Sequence, residues 1–237
     1  MRNKTFIGVI LVMLSFAGPA PGATDEEGER FRRGNEAYKR GQYEMAIIEY
    51  RQALILFGDH YTQSQYNIGV CYYELGRKTD AVVWFRAAAK SRNGEYAKAW
   101  YALGVALNDL GRWREAKAAF AEAIKASKGA HAEAVFRLGV ALHREGDYNR
   151  AAEHYRQAIK LSGDRLPACH NNLGVVMAAL GQLDQAEREF ETALAQSENR
   201  FDDALRNLKL CRSLRATQSP MLIADLKVSS GAQTITW

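Results

Sequence analysis

A period of thirty-five residues runs through most of this 237-residue chain and leaves it few choices of fold. Five segments align without gaps, opening at Tyr38, Tyr73, Asn108, His143 and Ala178. Gly41, Gly76, Gly111, Gly146 and Gly181 hold one register, and Ala46, Ala81, Ala116, Ala151 and Ala186 a second. Tyr50, Phe85, Phe120, Tyr155 and Phe190 hold a third, and Ala53, Ala88, Ala123, Ala158 and Ala193 close each unit. Each unit reads as two helices. Before the central glycine, Ile68, Gly69 and Tyr72 share a face, as do Leu103, Gly104 and Leu107, at the spacing of about 3.6 residues per turn. After it, alanine, aromatic and alanine recur at spacings of four and three, again one helical face. The central glycine is suited to the left-handed backbone that ends a helix. One such pair cannot bury its apolar face alone, so the units must stack into a continuous core. Gly69, Gly104, Gly139 and Gly174 fall inside first helices, where glycine costs about 1 kcal/mol relative to alanine. Close approach of the partner helix, through its small alanine, is the expected gain.

Composition agrees with a helical body. Only four prolines occur, and two of them, Pro19 and Pro21, lie in the first 21 residues. The formal charge is +5, with both signs interleaved along the chain, which gives none of the concentrated basic face that nucleic-acid binding needs. No histidine pairs with another at the spacing of a helical zinc site, and no nucleophile elbow or phosphate-binding glycine loop is present, so neither metal, cofactor nor enzymatic activity is expected. Cys71, Cys169 and Cys211 read as buried thiols, with a Cys169–Cys211 disulfide as the alternative.

The two ends depart from the period. Arg2 and Lys4 precede Phe6 to Ala17, twelve residues without a charge, and then small residues up to Ala23. These are the parts of a secretory signal peptide over residues 1–23, which implies a periplasmic or otherwise extracytoplasmic protein; the alternative is an uncleaved inner-membrane anchor over residues 6–23. At the other end, residues 202–216 continue the pattern with Leu205 and Leu208 in core register, but Lys209 replaces the glycine, as expected of a solvating cap helix. Residues 217–237 leave the repeat. They read as a flexible tail or, alternatively, as a segment that docks on the array or adds a strand to a partner.

Trp100, Leu103-Gly104, Leu107, Ala116, Phe120 and Ala123 resemble the tetratricopeptide repeat signature. The resemblance covers residues 27 to about 215 and divides into repeats at 27–61, 62–96, 97–131, 132–166 and 167–201. It implies an all-α, right-handed solenoid. The departures are a unit one residue longer than the usual ~34 and glycines (Gly58, Gly94, Gly129, Gly163) where the family has proline. Arg30 and Arg33 stand where later repeats have core residues, as suits a terminal repeat. The pentatricopeptide repeat shares the length but lacks the paired Leu-Gly and closing alanine.

The resemblance also implies that first helices line a concave face, and register then names its residues. One ladder is Phe31, Tyr66, Tyr101, Phe136 and Asn171; a second is Asn35, Val70, Val105, Val140 and Val175; a third is Tyr38, Tyr73, Asn108, His143 and Ala178. Aromatic and aliphatic ladders side by side suggest a trough for an extended or helical protein segment, although the tyrosines also serve packing. In the family the second ladder often carries asparagines that grip a peptide backbone. Only Asn35 remains here, which argues against carboxylate-clamp recognition and for an apolar ligand or cover by the protein's own tail. The reading is a non-enzymatic adaptor of the cell envelope, since exported bacterial members of the family help assemble envelope, secretion or pilus machines. A self-associating structural component, or a glycan or small-ligand binder using the aromatics, are the alternatives.

Overall fold

The structure, a computed structural model, describes residues 23–56, 60–217 and 220–229. The proposed signal segment lies outside these residues, apart from Ala23. Eleven helices follow one another within them: α1 (Ala23–Lys39), α2 (Tyr43–Ile55), α3 (Tyr61–Glu74), α4 (Lys78–Lys90), α5 (Ala97–Asp109), α6 (Trp113–Ala126), α7 (Ala132–Arg144), α8 (Tyr148–Leu161), α9 (Pro167–Ala179), α10 (Leu183–Gln196) and α11 (Asp202–Thr217). Each helix packs on the next, so ten of them form five antiparallel pairs in an α-solenoid. Among the described residues there is no strand, and no helix is long and apolar enough to cross a membrane.

Two devices repeat. Within each pair the helices are joined by a tight turn at the central glycine; Gly111, at φ 72°, is one case. There Gly111 N–H donates to Asn108 O and Arg112 N–H to Leu107 O, closing the end of α5. A side chain at Gly111 would meet open space apart from the Trp113 ring, so the glycine serves the backbone and not the packing. Between pairs the chain again turns through left-handed residues: Asn93-Gly94, Lys128-Gly129 and Gly163-Asp164. At the last junction Glu198-Asn199 takes the same conformation without glycine.

The second device is the glycine inside each first helix. A Cβ at Gly104 would lie 2.5 Å from the Phe120 ring, and the same meeting occurs at Gly34–Tyr50, Gly69–Phe85, Gly139–Tyr155 and Gly174–Phe190. The glycine therefore faces the aromatic ring of the second helix, not its alanine, and Gly34 brings the device to the first repeat as well. Four of these rings, Tyr50, Phe85, Tyr155 and Phe190, are the largest fully buried side chains of the core, and Phe120 is buried nearly as far. Burial of one such ring is worth about 2–3 kcal/mol.

The ends of the array are closed by polar contacts. In α1, Arg30 pairs with Glu49 at 3.3 Å and Arg33 with Glu29, while buried Glu27 accepts from both His60 N–H and His60 Nδ1. In α11, Leu208 is buried but Leu205 is exposed; Ala204, Asn207, Cys211 and Leu214 complete the inner face. Leu205 keeps the register of Val135 and His170 but is exposed, since no further α-helix packs on α11 among the described residues. Arg212 reaches Glu187 and Glu191 at 2.7 and 2.8 Å, and Arg215 reaches Glu187 at 2.6 Å, which ties α11 to α10. All three cysteines are free and buried, and burial pushes the Cys71 thiol up to about 12.

His170 of α9 is enclosed by two carboxylates. Its Nδ1 lies 2.7 Å from Glu189 of α10, and its Nε2 2.5 Å from Asp164 in the preceding turn. Burial lowers the imidazole pKa, but the two carboxylates more than reverse this and hold it above its ordinary value. A raised folded-state pKa means that the contribution is full below the unfolded value of about 6.5 and is lost as pH rises through the folded value.

Gly104→Ala is expected to destabilise the protein by about 1–3 kcal/mol through overpacking against Phe120, despite the better helix propensity of alanine. Adding Phe120→Leu should recover part of the loss; thermal and urea unfolding of the single and double variants check this. His170→Gln is expected to lower stability by about 1 kcal/mol at pH 5.5 and by less at pH 8.5, measured as melting temperatures at the two pH values.

Candidate functional site

The first ladder is a floor more than a wall. Phe31, Tyr66 and Phe136 are buried, Tyr101 is half-buried, and each packs tilted on the ring of its own second helix at 5.7–5.9 Å. Phe31, Tyr66 and Tyr101 each also meet the N-cap residue of the next first helix: Phe31–His60 at 4.4 Å, Tyr66–Tyr96 at 5.6 Å and Tyr101–His131 at 4.8 Å. In the second ladder Val70, Val105, Val140 and Val175 are buried, while Asn35 accepts from the Tyr50 hydroxyl at 2.7 Å and from Asn67 at 3.3 Å. In the third, Tyr38, Tyr73, Asn108 and His143 are half-buried and Ala178 is buried. Tyr73 donates to Asp109 at 2.6 Å, and His143 stacks edge-on against Tyr148. Burial, then the Glu74 carboxylate, pushes Tyr38 up to about 12; burial, then Arg144, lowers His143.

Among the described residues, three hollows stand out between the helices. The largest, about 760 Å³, is bounded by Tyr66, Tyr101, Phe136, Pro167, Phe201 and Ser229, with Lys98, Arg137, Arg165 and Arg200 at its edges and Glu133 as its one carboxylate. A second of about 240 Å³ lies among Asn35, Tyr38, Tyr66 and Val70. A third of about 420 Å³ separates α6 from α7, between Asn108, Val140 and exposed Trp113, over which Arg144 lies at 4.5 Å. Phe31, Tyr73, Val105, His143 and Asn171 border none of the three. Burial raises the Tyr101 hydroxyl, and the Arg137 guanidinium against it works the other way. A hydrogen bond with His131 holds Glu133 below the usual carboxylate range.

The end of the groove is occupied. After α11 a 3₁₀ turn, Pro220–Asp225, brings the chain back over α9 and α11, and Leu226, Ile223 and Val228 pack on the core of the last repeats. Asn207 donates to Lys227 O and accepts from Lys227 N–H, both at 2.8 Å. Asn172 does the same to Ser229, at 2.7 and 2.8 Å. Asn171 adds a bond to Lys227 O at 3.1 Å and links the set, accepting from Asn207 at 2.8 Å and donating to Asn172 at 3.1 Å. An amide side chain carries both a donor and an acceptor, so it can pair with the N–H and the C=O of one residue at once. Held residues two apart have the period of an extended chain. Over 220–229 the tail is thus docked and not free, and residues 230–237 lie outside the described part.

This placement corrects two expectations. Asn171 is a wholly buried support for the protein's own chain and not an open groove residue. Backbone-gripping asparagines are present, but in the register of Asn67, Asn172 and Asn207, three positions before the ladder in which only Asn35 remained. The signal was available as two asparagines one repeat apart, each directly before the leucine of the first-helix core.

The stacked helix pairs and the groove along their first helices define a repeat scaffold. Models of the tetratricopeptide repeat match residues 31–97, 101–165 and 142–210, so the chain belongs to the tetratricopeptide repeat family. No curated protein matches it in sequence. Among solved structures it is similar to MamA from Desulfovibrio magneticus RS-1, with 19% identity over 74% of this chain and 97% of that one and a TM-score of 0.63. It is similar also to Pseudomonas aeruginosa PilF, with 15% identity, 86% and 98% coverage and a TM-score of 0.63. A thermophilic TPR protein of Thermus thermophilus has 21% identity, 77% and 97% coverage and a TM-score of 0.53.

Asn172→Ala and Asn207→Ala together are expected to free the tail while leaving the repeats folded. Each removes two hydrogen bonds to the tail, worth about 1 kcal/mol apiece, besides one to Asn171, so the Lys227 and Ser229 amides should exchange hydrogen at least tenfold faster than in the parent, read by NMR.

Proposed function

We propose that the protein is a non-enzymatic adaptor of the cell envelope that holds a segment of a partner protein in the groove along its first helices. The single observation behind this reading is the docked stretch Leu226–Ser229. The groove holds an extended chain by its backbone, through Asn172 and Asn207, while Leu226 and Val228 of that chain pack on the core beside it. The largest hollow continues from Ser229 toward Tyr101 and Tyr66 and offers aromatic contact area with polar tips. The thiols are all pushed toward the protonated form by burial, which disfavours nucleophilic chemistry at Cys71, Cys169 or Cys211. Export is part of the proposal and rests on the residue pattern of positions 1–23.

The test is affinity capture from the envelope fraction with the full chain and with Tyr101→Ala/Phe201→Ala. Both rings border the hollow and neither is fully buried, so the fold should survive, as circular dichroism will show. A partner held by the parent and reduced at least tenfold in the variant is the expected outcome. A partner retained by both would move the site to the opposite surface, where Met45, Ile48 and Val83 are exposed. N-terminal sequencing of the mature protein checks export: a start between residues 21 and 24 is expected.

A further inference from the structure

Resting on the reading of the groove as a peptide site, we propose that the site is autoinhibited: residues 230–237 of this same chain run on from Ser229 through the largest hollow, and a partner segment enters only by displacing them.

The docked stretch has a direction and a pace. Asn207 holds Lys227 and Asn172 holds Ser229, so side chains one repeat apart hold residues two apart. The chain runs against the order of the repeats, and Ser229 is itself part of the wall of the largest hollow. At the same pace Gly231 falls opposite Arg137, Gln233 opposite Ala102 and Ile235 opposite Asn67, the earlier positions of one register. Tyr66 and Lys98 border both this hollow and the smaller one beside Asn67, so the two form one track. Six residues reach Asn67 at that pace, and the sequence has eight after Ser229.

The segment suits the track. Leu226 and Val228 pack inward on the core while Lys227 is exposed. Continued alternation would turn Ser230, Ala232, Thr234 and Thr236 inward, small side chains over a floor in which Tyr66 and Phe136 are already buried. Gly231 brings no side chain to the place where the Arg137 guanidinium lies against the Tyr101 hydroxyl. Lys98, Arg137, Arg165 and Arg200 give the hollow a cationic edge, and no lysine or arginine follows Lys227, so nothing in the segment is repelled. Tethering adds to the fit. A segment joined directly to a docked residue has an effective concentration in the millimolar range, which a foreign segment or the tail of a second copy must outcompete.

The experiment places a nitroxide on the full chain through Gln233→Cys, on the outward side of the segment. Cys71, Cys169 and Cys211 are buried with their thiols held protonated, so the label goes to position 233. The amide signals of Ala102 and Arg137 are expected to broaden strongly in the NMR spectrum and to return when the nitroxide is reduced, while those of Ile48 and Val83 keep their intensity. Weak broadening spread over all of these amides overturns the proposal. So does broadening that persists in a mixture of isotope-free nitroxide chains with isotope-labelled chains lacking the nitroxide, because the occupant is then a second copy. Displacement is read by anisotropy of a fluorescent peptide with the sequence of residues 230–237. It is expected to bind about tenfold more tightly to the full chain carrying Ile235→Lys/Trp237→Lys, whose own segment the cationic edge repels, than to the parent. Equal affinity for both overturns the proposal. So does a peptide that fails to bind the variant at millimolar concentration, since a tail that weak would not stay docked. After any of these failures the groove reading stands if Tyr101→Ala/Phe201→Ala loses its captured partner, and falls as well if that variant keeps it.

Discussion

The closeness of each helix pair depends on a glycine meeting an aromatic ring. A Cβ at Gly34, Gly69, Gly104, Gly139 or Gly174 would intrude to 2.5–2.8 Å of that ring, so the pair can close only with hydrogen at that position. The ring then fills the gap completely, and the alanines around it allow the next pair to stack. Without the interlock, the ladders on the first helices would have no fixed spacing, and the groove would have no fixed shape. The final first helix, α11, has Lys209 in place of the glycine, and among the described residues it receives no partner α-helix. The array ends there for a steric reason, and polar clamps from Arg212 and Arg215 replace the missing ring.

The open end creates the second feature. A terminal helix with no partner leaves Asn207 buried on its inner face, and a buried amide must be satisfied. Lys227 satisfies it on both sides, Asn172 takes Ser229 in the same way, and Asn171 joins the two. The network holds the chain by peptide groups alone. Stability of the cap and readiness to hold an extended segment come from the same three side chains.

The fold was almost wholly legible in the sequence, because a period of thirty-five residues with glycine, alanine and aromatic in step admits one architecture. The site was legible only in part. Tyr66 and Phe136 could be placed on the groove-facing side by register, but register does not say that a neighbouring ring buries them. Asn172 and Asn207 were hidden for a different reason: their role depends on a segment that returns from more than fifty residues after Asn172, and no local pattern announces such a return. The tail's alternation hinted at an extended chain, yet its docking surface exists only once the repeats have stacked. The cationic edge was invisible for the same reason, since Lys98, Arg137, Arg165 and Arg200 are scattered among interleaved charges until the solenoid gathers them.

That the groove holds extended chains by their backbone is tested most directly by solution NMR of the isotope-labelled full-length protein. Through-space contacts between the side-chain amide protons of Asn207 and the backbone of Lys227, and between those of Asn172 and Ser229, are the result this account predicts. Random-coil shifts for residues 226–229 with no contact to either asparagine would contradict it.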